Sequence, residues 1–454
     1  MNTAAPTPVP PVAGLRDETA RVLGLAGPVM IAYLGTISMG TVDMMMSGAL
    51  GPKALGAVAL GHMWGITAAI IAWGAARALD PVVAQARGAG DTRAAGAGLT
   101  RGLAMASILG VPVLALYLAA GRGLTVLGQP QDLVPAAAAY CRVLIPGLPA
   151  ILAFAIVRNF LQALGVMRPA TYAIVLANVS NVFLNWVLMY GKLGCPALGV
   201  RGCGLSTSIN QWLMLASVLY FARGTIREYW PGWAGAFDPG PLGRMMKLGL
   251  TLGFQFAFEV WAFHAAGFMM GRLGAIPFAA HAITINLATI SFMVPSGIGA
   301  AAATRVGQLV GAGHAWARSA SVAVGLGALV MVVPAAAFVL AARPLTGFYS
   351  VDPAVVATAA AILPIAGAFQ LFDGVQAVAF GVLRGAGDTR VPAIVNVVGY
   401  WLVGLPAGWL LAFVAGFGPR GVWSGLAIGL AAVAALLLAR IARLAKRGVR
   451  RLEL

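Results

Sequence analysis

The sequence predicts an all-α polytopic membrane protein, and three observations carry that prediction. The 454 residues are 60% hydrophobic and only 9% charged, far below the roughly 25% charge of a soluble domain. Apolar stretches long enough to cross about 30 Å of hydrocarbon recur along the chain, each bounded by Gly, Pro or Arg clusters. At these lengths only helices satisfy their own backbone polar groups, and the runs lack the alternating pattern of barrel strands.

Taken in order, residues 1–20 are Pro- and Ala-rich and carry no charge before Arg16. They lack the basic start and compact apolar core of a signal peptide, so a disordered cytoplasmic tail is expected. Six spans follow, Val22–Met46, Leu55–Ala78, Gly102–Ala120, Pro135–Phe160, Ala170–Tyr190 and Gly204–Phe221, forming an N-lobe over 21–222. A cytoplasmic linker at 223–243 leads to a C-lobe over 244–438. Its six spans are Met246–Met270, Phe278–Ala300, Ala320–Ala341, Val355–Val382, Ala393–Ala415 and Val422–Leu438, and a basic cytoplasmic tail, 439–454, follows. Twelve transmembrane helices result. Most of the 59 glycines are expected to serve close helix packing.

The two lobes repeat one another. LQALGVMRP at Leu161 aligns with LRGAGDTRVP at Leu383, and Leu50-Gly51 with Leu273-Gly274. Gln85 with Gly88-Ala89-Gly90 matches Gln308 with Gly311-Ala312-Gly313 at nearly the same spacing. An even number of helices separates equivalent segments, so the repeats share one topology and a pseudo-two-fold axis along the membrane normal. Orientation follows from the basic residues. With both termini cytoplasmic, the outer side keeps only Lys53, Arg122, Arg142, Lys192, Arg201, Arg272, Arg343 and Arg420 of the 30 Lys and Arg. A net charge of +17 would suggest nucleic acid in a soluble chain. Here it reads as orientation signal, with the tail Arg440–Arg451 anchoring on acidic lipid, and no nucleic-acid partner is expected.

Of the 13 acidic residues, only Asp43, Glu259 and Asp373 fall within spans. A carboxylate at bilayer depth costs about 2.5 to 3.5 kcal/mol even on the mildest scale, so such a residue lines a cavity, pairs or is protonated. Gln370 and Gln376 flank Asp373 at three residues on either side and share its helical face, and Gln255 stands one turn before Glu259. In the fifth span Asn178, Asn181 and Asn185 also share a face, suited either to interhelical amide bonding or to a proton-dependent network near Asp43. Phe254, Phe256, Phe258, Trp261 and Phe263 surround Glu259, an aromatic setting suited either to flat organic cations or, for each ring taken singly, to packing against lipid. No CxxC or His-linked spacing implies a structural metal. Cys195 and Cys203 sit close enough in sequence to share a loop, as a disulfide or, as preferred here, two free thiols. The heptapeptide RGAGDTR at Arg87–Arg93 and Arg384–Arg390 lacks the pattern of a phosphate loop and reads as a basic capping turn.

These segments, read in order, resemble the multidrug and toxic compound extrusion (MATE) family, most of all its NorM-like bacterial branch. The resemblance runs through PVMIAYLGTISMGTVDMMMSGALG, PVVAQARGAG, LQALGVMRP, GKLGCPALGVRGCG, FEVWAF, AAHAITIN, RVGQLVGAG, FQLFDGVQ and LRGAGDTRVP. It implies a secondary transporter of the bacterial inner membrane, not an enzyme, that needs no cofactor and exports cationic drugs and dyes against H⁺ or Na⁺. Glu259 and Asp373 would be the cation-coupling groups and a possible Na⁺ site, with Asp43, Asn181 and Asn185 as the polar cluster of the first lobe. Gln255, Phe258, Phe369, Gln370 and Gln376 are the candidates for the substrate cavity. Phe369 departs from the Tyr that NorM-like sequences can carry there, and Ala282 from the Gln that often follows the His; losing a hydroxyl oxygen beside Asp373 favours H⁺. Partners beyond substrate and membrane lipid are not expected, and a monomer is. A lipid-linked precursor flippase would want more cationic residues in its cavity, and an ion channel would want a ring of equivalent groups.

Overall fold

The computed structural model describes residues 9–12 and 14–452. Among them the regular elements are all helical. The long ones are α1 (Leu15–Gly48), α2 (Pro52–Gly88), α3 (Thr92–Leu118), α4 (Val134–Leu164), α5 (Arg168–Tyr190) and α6 (Val200–Phe221). The second set is α7 (Pro239–Leu273), α8 (Ala275–Gly311), α9 (Ala317–Leu340), α10 (Pro353–Gly385), α11 (Arg390–Val414) and α12 (Pro419–Arg447). Ten of them are long and apolar enough to cross a membrane. The other two, α6 and α7, occupy predicted spans but are more polar, because they carry Ser206, Ser208 and Asn210, and Gln255, Glu259 and His264.

Several helices depart from their predicted ends. α1 starts at Leu15, inside the expected tail, and Pro10 and Pro11 are tied down by their carbonyls, which accept from Arg305 Nη2 and Arg21 Nη1. The first eight residues of that tail lie outside the described residues. The linker holds a short helix, Arg223–Tyr229, and α12 runs through the expected basic tail to Arg447. Arg440 there pairs with Asp388 at 2.6 Å instead of standing free for lipid. Cys141, Cys195 and Cys203 are free thiols; Cys203 is buried within α6, so the loop that holds Cys195 ends before it.

The chain forms two compact bodies. One comprises Ile31–Leu79 and Asp91–Gly253; the other takes 254–452 together with 9–30 and Asp80–Gly90, the ends of α1 and α2. In the first body α5 and α6 meet closely, and a Cβ added at Gly202 would lie 2.4 Å from the Leu188 carbonyl oxygen. In the second body α8 and α10 share a seam of small residues. An added Cβ would come within 1.9 Å of the Gly299 oxygen at Gly381, and within 2.3 Å of the Ala303 oxygen at Gly385. Such contact fixes α10, and with it Asp373, against α8. Two buried ion pairs complete this body. Arg305 grips Glu18 at 2.7 and 2.9 Å, and Arg384 lies 2.8 Å from Asp80. Neither Glu18 nor Asp80 retains exposure, although their places at helix ends suggest solvent.

Candidate functional site

In the first body the polar residues converge on α1. Asp43, 3% exposed, accepts at Oδ1 from Asn185 Nδ2 at 2.6 Å and Asn181 Nδ2 at 3.1 Å. Its Oδ2 accepts from the Thr207 hydroxyl of α6 at 3.1 Å. Two helices, α5 and α6, thus supply the α1 carboxyl with donors, as buried polar groups require. Asn178 is on the same face of α5 but at another level: its amide donates to the carbonyls of Gly35 and Ile174, both at 2.9 Å. It bonds α5 to α1 as packing glue, apart from the Asp43 cluster. His62 of α2 faces α1 near the cluster, its Cε1 lying 3.0 Å from where a Cβ on Gly40 would be. His62 and Thr207 escape the sequence reading; a lone His in an apolar span and the Ser-Thr-Ser run at 206–208 are the signals.

The second body holds the other two carboxyls. Glu259 of α7 accepts at Oε1 from Gln376 Nε2 of α10 at 3.2 Å, and at Oε2 from Asn396 Nδ2 of α11 at 3.3 Å. Gln376 in turn accepts from the Tyr400 hydroxyl of α11 at 2.9 Å. Asp373, 5% exposed, stands one turn before Gln376 on α10. Gln370 is wholly buried and, among the described residues, both its amide oxygen and nitrogen lack a hydrogen-bond partner, as do Asn396 Oδ1 and Gln255 Oε1. Unsatisfied buried polar atoms are uncommon and ask for a reason, of which a transient ion or substrate is one.

Aromatic side chains wall this group. Phe369 is buried between Phe263 and Trp423, with ring centroids 6.0 and 5.8 Å away, and Phe263 meets Tyr400 edge-on at 5.6 Å. Phe258 packs edge-on against Trp261 and Trp401, and its carbonyl accepts from Trp401 Nε1 at 3.0 Å. Phe369 therefore supplies apolar packing beside Asp373 and no oxygen. Asn396 and Tyr400 escape the sequence reading too, although their four-residue spacing places them on one face of α11. Their backbone is unusual, since α11 opens into π-helical turns at Val398–Gly404 and Leu410–Val414. The RGAGDTR turns diverge in role. Asp91 caps α3 by accepting from Ala94 N at 2.8 Å, whereas Asp388 holds Arg440.

With this geometry in place, comparison with known proteins gives a consistent result. The family profile described as MatE matches the chain twice, over residues 28–187 and 252–410, once in each predicted half. The chain is 36% identical over 446 residues to the probable multidrug resistance protein NorM of Mesorhizobium japonicum, spanning 94% of each chain. It is 33% identical to the multidrug resistance protein PmpM of Pseudomonas aeruginosa, over 97% of this chain and 94% of that one. Among solved structures it superposes on the eukaryotic MATE transporter AtDTX14 with a TM-score of 0.87 at 23% identity, over 96% of this chain and 99% of that one. The Vibrio cholerae MATE transporter VcmN in its bent form gives 0.83 at 17% identity, over 95% and 98% of the two chains. At such identities the structural likeness speaks for a shared fold.

Proposed function

The chain belongs to the MatE family, and on that premise we propose that it is a multidrug efflux transporter, a secondary antiporter that exports cationic or amphipathic organic compounds against H⁺. The observation that carries the coupling mechanism is that Glu259, held by the amides of Gln376 and Asn396, and buried Asp373, one turn from Gln376, lie in the same aromatic-walled body. Proton and organic cation compete there for the same negative charge, so binding one expels the other. Inward movement of one net charge is worth about 2.3 kcal/mol per 100 mV of membrane potential, roughly a 50-fold gradient. Asp43, with its amide and hydroxyl donors, forms a second charge-responsive group in the first body. Gln255, Phe258 and Gln370 are the candidates for contact with substrate. The orientation with both termini in the cytoplasm and the bacterial inner membrane as location belong to the same proposal.

Reconstituted protein with an imposed pH gradient provides the test. Ethidium efflux is expected from wild type and expected to vanish in Glu259→Gln and Asp373→Asn, with both variants present in the membrane at normal amount. Normal efflux from both would sink the assignment. In detergent, affinity for a cationic dye is expected to weaken as pH falls and the carboxyls take up protons, and Asp373→Asn should flatten that dependence. A second reading, Na⁺ as coupling ion, is favoured by the buried oxygens of Gln370 and Asn396 that lack donors. Displacement of dye by NaCl but not by choline chloride, at fixed pH and ionic strength, would select it.

A further inference from the structure

Arg158 lies in the first body, six residues before the end of α4. That is about 9 Å along the axis, within the apolar span. A cation at such depth is costly, and it is normally paired with an acid or turned out to the interface. Arg158 does neither. None of the ion pairs among the described residues includes it, and its buried Nε has no hydrogen-bond partner among them. Its guanidinium carbon lies 5.4 Å from the centre of the Tyr33 ring. Tyr33 stands at the middle of α1, so the side chain reaches into the span and not out to its end. Asp43 follows ten residues later on α1, about 15 Å further along the axis, and already accepts from Asn181, Asn185 and Thr207.

The surroundings show what Arg158 faces. From Phe154 to Leu164 every residue except Arg158 is buried, whereas a helix facing lipid exposes every third or fourth residue. Protein encloses α4 here, and the opening at Arg158 is a break in that enclosure, not a lipid-facing side. The internal repeat shows that the fold does not require a cation at this point. Leu161 aligns with Leu383, which makes Phe380 the counterpart of Arg158, an apolar residue 8% exposed in α10. A guanidinium carries five N–H donors in a flat fork that fits a carboxylate or phosphate. A ring face beneath it fixes that plane without using a donor.

We propose that Arg158, braced by Tyr33, binds an anionic group on the exported compound, a carboxylate or phosphate, so that the protein takes zwitterionic as well as cationic amphiphiles. The inference rests on the reading of the chain as an efflux transporter; it adds a class of substrate and the residue that selects it. A lipid phosphate offers the same oxygens, and the experiment separates the two sources.

Two dyes test it, a rhodamine with a free carboxylate and the methyl ester of the same rhodamine, which share one xanthene cation. Their affinities are measured by fluorescence anisotropy on the full chain in maltoside detergent. Arg158→Gln is expected to weaken binding of the acid about tenfold, the loss of one charge-assisted hydrogen bond, and to leave the ester unchanged. Arg158→Lys keeps the charge but not the fork, so its loss should be smaller and again confined to the acid; it carries the test if Arg158→Gln does not fold. Equal weakening of both dyes, or of neither, would overturn the proposal. Phosphatidylglycerol retained through purification by wild type and lost in Arg158→Gln, with dye affinities unchanged, would give the site to lipid and overturn it also. Wild-type protein that binds the ester but does not pump it in liposomes would instead overturn the efflux reading beneath it.

Discussion

Asp43 and Asn178 both tie α1 to α5, yet they do different physical work. Asp43 collects two amides and a hydroxyl on one buried carboxyl, and hydrogen bonds to a charged group are worth about 1.5 to 3 kcal/mol each. Asp43→Asn sets one amide's NH₂ against others and is expected to cost about 2 kcal/mol, seen as a lower melting temperature in detergent, and to impair efflux severely. Asn178→Ala removes bonds to two neutral carbonyls and should cost about 1 kcal/mol with efflux nearly intact. Equal, near-native transport in the two variants would return the Asp43 cluster to a packing role. A carboxyl in an apolar run is legible in sequence because its cost demands an explanation, which is how Asp43, Glu259 and Asp373 stand out. Asn396, Tyr400, Thr207 and His62 do not, since single polar residues in membrane helices serve equally as packing glue. Periodicity gives a residue its face; it does not say which helix that face will meet.

At the scale of the helix, hydropathy locates each span but is blind to its backbone. The 3-10 turn Ile145–Gly147 inside α4 and the π turns of α11 leave no mark in apolar periodicity, because every residue there except Tyr400 is apolar or small. Helix ends are misjudged for a related reason: α7 starts at Pro239 and α12 continues to Arg447, where the backbone stays helical after the apolar run has stopped. Glycines are the reverse case, frequent in sequence but silent about which are needed. The seam of α8 and α10 decides. Gly381 lies against the Gly299 backbone, whereas a Cβ on Gly325 of α9 meets nothing within 4 Å. Gly381→Ala must push two backbones apart and is expected to lose about 1 to 3 kcal/mol. Gly325→Ala should be neutral or slightly stabilising, since it relieves the entropy cost of a glycine in a helix. Thermal unfolding of both in one detergent compares them directly, and an unchanged transition for Gly381→Ala would mean that the seam opens freely.

At the scale of the molecule, the internal repeat is legible as paired motifs, but the division into compact bodies is not the division into halves. The ends of α1 and α2 belong with the second body, and residues far apart in sequence hold them there, Glu18 by Arg305 and Asp80 by Arg384. No pattern within either half announces those partners. Each body nevertheless has a carboxyl cluster of its own: Asp43 accepts from Asn181, Asn185 and Thr207, and Glu259 accepts from Gln376 and Asn396. Stability and transport should therefore combine differently. Sites without shared partners add their free energies to within about 0.5 kcal/mol, so the double variant Asp43→Asn with Glu259→Gln is expected to be destabilised by the sum of the single effects. Transport is a cycle that needs every step, so the double variant should transport no worse than the more impaired single one. Chemical unfolding and ethidium efflux measured on the same four proteins make the comparison. Strong non-additivity in stability would mean that the two clusters are joined in the folded state, and that coupling between them is carried by structure already present at rest.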